Sequence, residues 1–304
     1  MTAGGDGRDW TAQHVAGVLR LPTDAAHKYS RGVVGLRTGS TEYPGAAVLG
    51  VEGAARAGAG MVRWYGEDPD VARLVLQRRP ETVVQGGRID AMVLGSGVDP
   101  RTRSDDVRLA MTQALRSSVP CVVDAGALDL VTDARGPIVV TPHEGELREV
   151  RIPLGLGVDD LDGDDPLSDR LRRGFDERVL IVRETAVALG GVVLLKGAQT
   201  IVAAPTGWWT VVRSGTPWLA TAGTGDVLAG AIGALAASAA ADSSPRALEI
   251  DALAAVAATG AWLHGTAARL ASGTVDGGPG HPITALDVAD HLPAAFAAAL
   301  AAAA

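Results

Sequence analysis

The sequence predicts an α/β domain of three layers, with a central, mostly parallel sheet. Short β-rich apolar runs recur along the chain. Each ends in a loop of Gly, Ser, Asp or His, and helical stretches separate them. That is the rhythm of βαβ units whose sheet is covered on both faces. Apolar residues make up 47% of the 304 and charged residues 20%, enough to build the core of one large domain.

In chain order, VVGLRTGS (33–40) is a buried strand running into a turn. YPGAAVLGVEGAARAGAG (43–60) is a helix opening after Pro44 and Gly45 and stopping at Gly58 and Gly60. MVRWYG (61–66) is strand-like, and a helix covers 67–78. AMVLGSG (91–97) is a strand and a glycine turn, followed by a helix over about 103–117. PCVVDAG (120–126) and PIVVTPHEGE (137–146) repeat the strand-then-loop pattern. VVLLKG (192–197), TIVAAP (200–205) and WWTVVR (208–213) lie close together, with a tight PTG turn, and predict an antiparallel patch at one sheet edge. Helices follow over 226–240, about 246–272 and 284–303. VDDLDGDDPLSDR (158–170) reads as an acidic surface loop. With no linker, charge block or repeat, residues 25–304 are expected to form one domain after an N-terminal extension over 1–24.

Net charge is −8 and the pI is near 5.2, which argues against nucleic acid or an anionic membrane as partner. Cys121 is the only cysteine, so no internal disulfide forms and a cytoplasmic location is expected. MTAGGDGRDW lacks an apolar signal core. The Ala-rich stretches 229–241 and 294–304 are expected to be too short and too weakly apolar to span a bilayer. The six histidines, at 14, 27, 143, 264, 281 and 291, have no zinc spacing.

Ligands of such sheets bind beyond the carboxyl ends of the strands, so the loops there carry the candidates. TAGTGDVLAG (221–230) sets one carboxylate, Asp226, in a glycine-rich loop opening a helix. Backbone N–H groups from Gly223 through Thr224 and Gly225 to Asp226 converge on an anion there. Asp226 at its edge is placed to take a proton from a hydroxyl attacking a held phosphoryl group. A plain helix cap is the competing reading. In KGAQT (196–200), Lys196 closes an apolar run and points toward a phosphate or ribose, or else into solvent. In TPHEGE (141–146), Glu146 falls in the first turn of a helix, where a carboxylate holds hydrated Mg²⁺. His143 sits at the cleft mouth as a hydrogen-bonding imidazole. A capping or packing role competes for both, although a capping box wants Ser or Thr where His143 stands. GSG (95–97) and GAA (45–47) are weaker glycine turns; DAG (124–126) is one of the strand-end loops, where Asp124 and Asp129 could cap a helix, a reading that weighs more for Asp129. His264 reads as a packed helix-face residue, and Cys121 as a buried strand residue, not a nucleophile.

HKYSRG (27–32), YPGAAVLG (43–50), RAGAGMVR (56–63), VLGSGVD (93–99), VVDAGALDLV (122–131), VTPHEGE (140–146), LLKGAQTIVAAPTG (194–207), GTPWLATAGTGDVLAGAIGALAA (215–237), AWLHGTA (261–267) and PITALDVADHLP (282–293) occur in this order. Together they resemble the ADP- or ATP-dependent NAD(P)H-hydrate dehydratases of the ribokinase-like superfamily. GTGD alone is shared with many small-molecule kinases of that superfamily. TPHEGE with KGAQT and AGTGD is much more specific.

The resemblance implies a ribokinase-like fold and ADP-dependent dehydration of (S)-NAD(P)H hydrate to NAD(P)H, with release of AMP and phosphate. It implies phosphorylation of the C6 hydroxyl and loss of phosphate, with Asp226 as base. Gly223, Thr224 and Gly225 would hold the phosphate. Lys196, Gly197, Ala198, Gln199, Thr200 and Gly225 would bind the nucleotide. Ala46, Gly97, His143 and Asp226 would contact the hydrate, and Glu146 would support Mg²⁺ through water. ADP is favoured over ATP by resemblance alone. A homotetramer and a functional link to a separate epimerase are also implied, because the 25 or so residues before the resemblance leave no room for a fused one. Glu144, Asp129 and Gln199 stand where the family often has Pro, Asn and Pro. The alternative reading is an ATP-dependent kinase of a thiazole- or pyrimidine-type alcohol; a third is a catalytically silent nucleotide-binding regulator, against which intact Asp226 speaks.

Overall fold

The structure, a computed structural model, describes residues 6–84, 86–156, 166–241 and 248–303. Its strands are β1 (Asp6–Asp9), β2 (Val33–Arg37), β3 (Met61–Trp64), β4 (Ala91–Leu94), β5 (Cys121–Val123), β6 (Ile138–Val140), β7 (Val192–Leu195), β8 (Thr200–Ala203) and β9 (Trp209–Val212). The helices are α1 (Ala12–Val18), α2 (Pro44–Arg56), α3 (Pro69–Arg78), α4 (Asp105–Leu115), α5 (Leu147–Arg151), α6 (Pro166–Arg172), α7 (Phe175–Leu189), α8 (Thr224–Ala241), α9 (Ile250–Ser272) and α10 (Ala285–Ala301). A 3₁₀ segment covers Ala125–Asp133. Residues 158–165 of the acidic stretch read as a loop lie outside the described residues; residues 166–170 belong to α6.

The nine strands form one sheet in the order β1-β9-β8-β7-β6-β5-β4-β2-β3. Only β8 runs against the rest, pairing antiparallel with both neighbours. The antiparallel patch is therefore present, but the edge beyond it is covered by β1, parallel to β9. The segment read as an N-terminal extension thus joins the sheet, and Trp10 and Val15 are buried behind it.

Two cores flank the sheet, as alternation along the strands requires. Val34, Leu36, Val93 and Val122 face a core shared with α2, α8, α9 and α10. Met92, Leu94, Cys121 and Val123 face the other, which is closed by residues of α4, α5 and α7. Each fully buried aliphatic side chain stabilises this arrangement by about 1.5–3 kcal/mol.

Strand order reverses between β4 and β2, since the chain runs outward to β3 from one and to β5 from the other. A crevice opens at such a switch point. Glycine brings the two helices beside it together. A Cβ on Gly53 of α2 would lie 2.2 Å from the Val227 carbonyl oxygen, and one on Gly230 of α8 would lie 2.1 Å from that of Gly50. The two backbones touch, which fixes the start of α8 against α2.

The fragment 229–241 was expected to be too short for a membrane span. The helix in fact begins at Thr224, and its 18 residues meet the length and composition of a span. Burial of 72% of that window accounts for its apolar character: α8 is the central helix of the larger core.

Candidate active site

Four neighbouring strands end in polar side chains that meet. Asp124, after β5, is 3% exposed. It accepts from Ser96 Oγ after β4 at 2.9 Å and from Thr141 Oγ1 after β6 at 2.8 Å. Lys196 Nζ, after β7, donates to Asp124 Oδ1 at 2.8 Å. The same ammonium lies 3.4 Å from Glu146 Oε2. Burial alone would lower the lysine pKa, but Asp124 and Glu146 outweigh it and hold the ammonium above its usual range.

Ala125, which follows Asp124, has a φ of 44°, the only left-handed non-glycine residue among those described. Such a conformation costs about 1–2 kcal/mol and persists where neighbours over-determine it. Here Gly95, with a φ of 102°, seats its backbone against the Asp124 carbonyl, 2.1 Å from where a Cβ would stand.

The glycine loop approaches from β9. Gly223, with a φ of 88°, turns the chain into α8, and a Cβ there would strike Leu49 at 2.4 Å. Thr224 donates its hydroxyl to the carbonyls of Leu219 and Thr221, both at 3.1 Å. Asp226 is the third residue of α8, so its carboxylate stands beside the first-turn N–H groups, which have no intrahelical acceptor. Among the described residues no donor engages that carboxylate. Burial raises its pKa to about 7, Asp124 adds to the rise, and Lys196 opposes it. The capping reading of Asp226 has no hydrogen bond to support it.

A cleft of about 660 Å³ opens at the switch point, lined by Ala46, Gly97, Ala125, Gly223 and Asp226 among others. Gly97, with a φ of 68°, abuts Ala46: a Cβ on it would lie 2.3 Å from the Ala46 Cβ. Three residues assigned from resemblance to the hydrate, Ala46, Gly97 and Asp226, therefore share one cavity. His143 does not line it. Its N–H donates to Glu146 Oε2 at 2.9 Å, and the Glu146 N–H donates to His143 Nδ1 at 3.1 Å. This is the reciprocal geometry of a capping box, with imidazole in place of a hydroxyl. His143 pairs with Lys196 in a parallel bridge, so His143 and Glu146 form a polar annex joined to the cleft through Lys196. Gly197, Ala198 and Gln199 are the exposed turn from β7 to β8, closed by the Thr200 hydroxyl donating to the Gly197 carbonyl at 3.3 Å. A Cβ on Gly225 would lie 3.6 Å from Lys196 Nζ, so the glycine loop and the lysine face each other.

Two of the three departures, Glu144 and Asp129, have local partners. Glu144 pairs with Arg178 of α7 at 2.9 Å, and Asp129 accepts a two-pronged bond from Arg103, which also donates to the Gly126 carbonyl. Asp124, which the sequence leaves open to a capping reading, is the hub of the site. Its partners lie 17 to 72 residues away in sequence, and the one available signal was that Ser96, Thr141 and Lys196 each follow a predicted strand.

A family model described as NAD(P)H-hydrate dehydratase matches residues 34–276. The bifunctional NAD(P)H-hydrate repair enzyme Nnr of Mycobacterium tuberculosis is 38% identical over 241 residues, 75% of this chain and 45% of that one. The ADP-dependent (S)-NAD(P)H-hydrate dehydratase of Bacillus subtilis is 32% identical over 237 residues, 73% of this chain and 79% of that one. The chain spans about half the length of the bifunctional relatives it matches. A crystal structure of an ADP/ATP-dependent NAD(P)H-hydrate dehydratase from Bacillus subtilis, co-crystallized with ATP/Mg²⁺, superposes with a TM-score of 0.76 at 25% identity. That match covers 97% of this chain and 99% of the other.

Proposed function

The chain belongs to the NAD(P)H-hydrate dehydratase family, and from that premise we propose that it restores NADH and NADPH from their hydrates at the expense of ADP. The single observation that carries the proposal is the position of Asp226. Its carboxylate, engaged by no donor among the described residues and with a pKa raised to about 7 by burial, stands in the first turn of α8 and lines the 660 Å³ cleft.

The chemistry follows. The C6 hydroxyl of the hydrate attacks the terminal phosphorus of ADP as Asp226 removes its proton. The bond from that phosphorus to the AMP oxygen breaks. The ring nitrogen then pushes phosphate off C6, which hydroxide would not permit at a useful rate, and loss of a proton from C5 forms the double bond. Products are NAD(P)H, AMP and phosphate. Gly223, Thr224 and Gly225 present N–H groups to the moving phosphoryl group. Lys196 supplies positive charge at the same place, and the turn through Thr200 borders the nucleotide.

Among the described residues no three His, Cys, Asp or Glu side chains converge as a metal cage. Glu146 keeps one oxygen, Oε1, with only the His143 ring 3.5 Å away, which fits an ion carried by the nucleotide phosphates and held through water. Magnesium there would neutralise charge on the phosphates. Assembly as a tetramer and cooperation with an epimerase, the latter in keeping with the bifunctional relatives, belong to the same proposal.

The test is incubation with hydrated NADH, Mg²⁺ and either ADP or ATP. Recovery of dihydronicotinamide absorbance supports the proposal. No recovery with either nucleotide, together with phosphorylation of a thiazole- or pyrimidine-type alcohol, would replace it with the kinase reading.

A further inference from the structure

His264 lies within α9 and is buried. Its Nε2 is 2.9 Å from the Thr224 carbonyl oxygen. A carbonyl only accepts, so Nε2 carries the hydrogen and the ring is in one tautomer. Burial pushes the imidazole pKa down to about 4, so the ring stays a neutral donor at physiological pH.

The Thr224 carbonyl and the Gly225 N–H are the two ends of one planar peptide group. The Gly225 N–H belongs to the first turn of α8 and has no acceptor in the helix. A donor on the carbonyl end polarises the peptide and strengthens the N–H at the other end, because linked hydrogen bonds reinforce one another. The peptide is also held in orientation. The Thr224 hydroxyl ties it to Leu219 and Thr221. A Cβ on Gly265, beside the histidine, would lie 2.4 Å from Ser214 Oγ, so α9 is seated tightly on the segment leading to the loop.

We propose that His264 is a positioning residue: through the Thr224–Gly225 peptide it aims and strengthens the N–H that grips the terminal phosphoryl group of a nucleoside diphosphate. The inference rests on the nucleotide reading above and deepens it. It assigns a role to a residue that touches neither substrate nor nucleotide.

Calorimetric titration of the full chain with ADP and with AMP tests it. His264→Leu should weaken ADP binding about five- to tenfold, as the Gly225 N–H loses both its orientation and its polarisation, and leave AMP binding within about twofold. His264→Gln, whose amide nitrogen reaches where Nε2 stood, should restore ADP binding. His264→Asn, with a shorter reach, should not, and this pair decides the matter if the leucine variant does not fold. Equal losses of ADP and AMP, no loss at all, or equal behaviour of the Gln and Asn variants would overturn the relay. Wild-type protein that binds neither nucleotide overturns the functional reading and the relay with it. Wild type that binds ADP beside unaffected variants overturns the relay alone.

Discussion

The Lys196 ammonium stands 2.8 Å from Oδ1 of Asp124. The carboxylate is buried and already holds the hydroxyls of Ser96 and Thr141. The pair is a fixed charge couple under the glycine loop, and Asp226 titrates in its field. Burial and Asp124 raise the Asp226 pKa, and Lys196 limits the rise. A base poised near neutrality results, where general-base catalysis is most effective.

The rate should therefore depend on pH in one direction. Only ionised Asp226 accepts a proton, so kcat/KM should rise about tenfold per pH unit below the ionisation and level off above about pH 7. Initial rates of absorbance recovery from pH 5.5 to 8.5 check this. A flat profile would mean that another group carries the proton.

The same shift has an opposite consequence for stability. The folded pKa, about 7, lies above the ordinary 3.8, so the folded state binds this proton more tightly. The stability it contributes is present below about pH 4 and is lost as pH rises through 7. Asp226→Asn removes the buried charge and should stabilise the protein at pH 8 by about 1–3 kcal/mol, discounted for partial solvent contact, with a smaller gain at pH 5. Denaturant midpoints at the two pH values measure it.

Lys196→Met leaves Asp124 and Glu146 facing each other without a cation. Removing one partner of a buried ion pair costs about 3–5 kcal/mol; Lys196 retains some solvent contact, so about 2–4 kcal/mol is expected. ADP affinity should fall as well. Thermal unfolding and calorimetry of the same variant report the two effects separately.

Gly230→Ala inserts a methyl where the Gly50 carbonyl oxygen would be 2.1 Å away. Separating α2 from α8 should cost about 1–3 kcal/mol and move Asp226 away from Ala46, so that KM for the hydrate rises. An alanine variant with wild-type stability and KM would show that the helix contact does not set the cleft.

Much of this was legible in the sequence. β2, β4, β5, β6 and β7 are short, largely apolar runs followed by Thr38, Gly95, Asp124, Thr141 and Lys196, and they read this way because their residues are mostly buried on both faces. Gly223 and Asp226 are legible as residues of a glycine-rich loop, Ala46 and Gly97 enter through the family resemblance, and all four line the cleft. β1 was not legible: DGRD contains no apolar residue, and only pairing with β9 makes it a strand. The sequence leaves Asp124 open between a cap and a site residue, because its role comes from three loops distant in sequence. His264 was hidden likewise, its partner 40 residues away and a backbone atom that no side-chain pattern can betray.

Turnover by Asp226→Asn bears most directly on the account. With hydrated NADH, Mg²⁺ and ADP, the variant should lose about 10²–10⁴-fold in kcat while its ADP affinity stays near that of the wild type. A variant that recovers absorbance at close to the normal rate would contradict it and return the carboxylate to a structural part in α8.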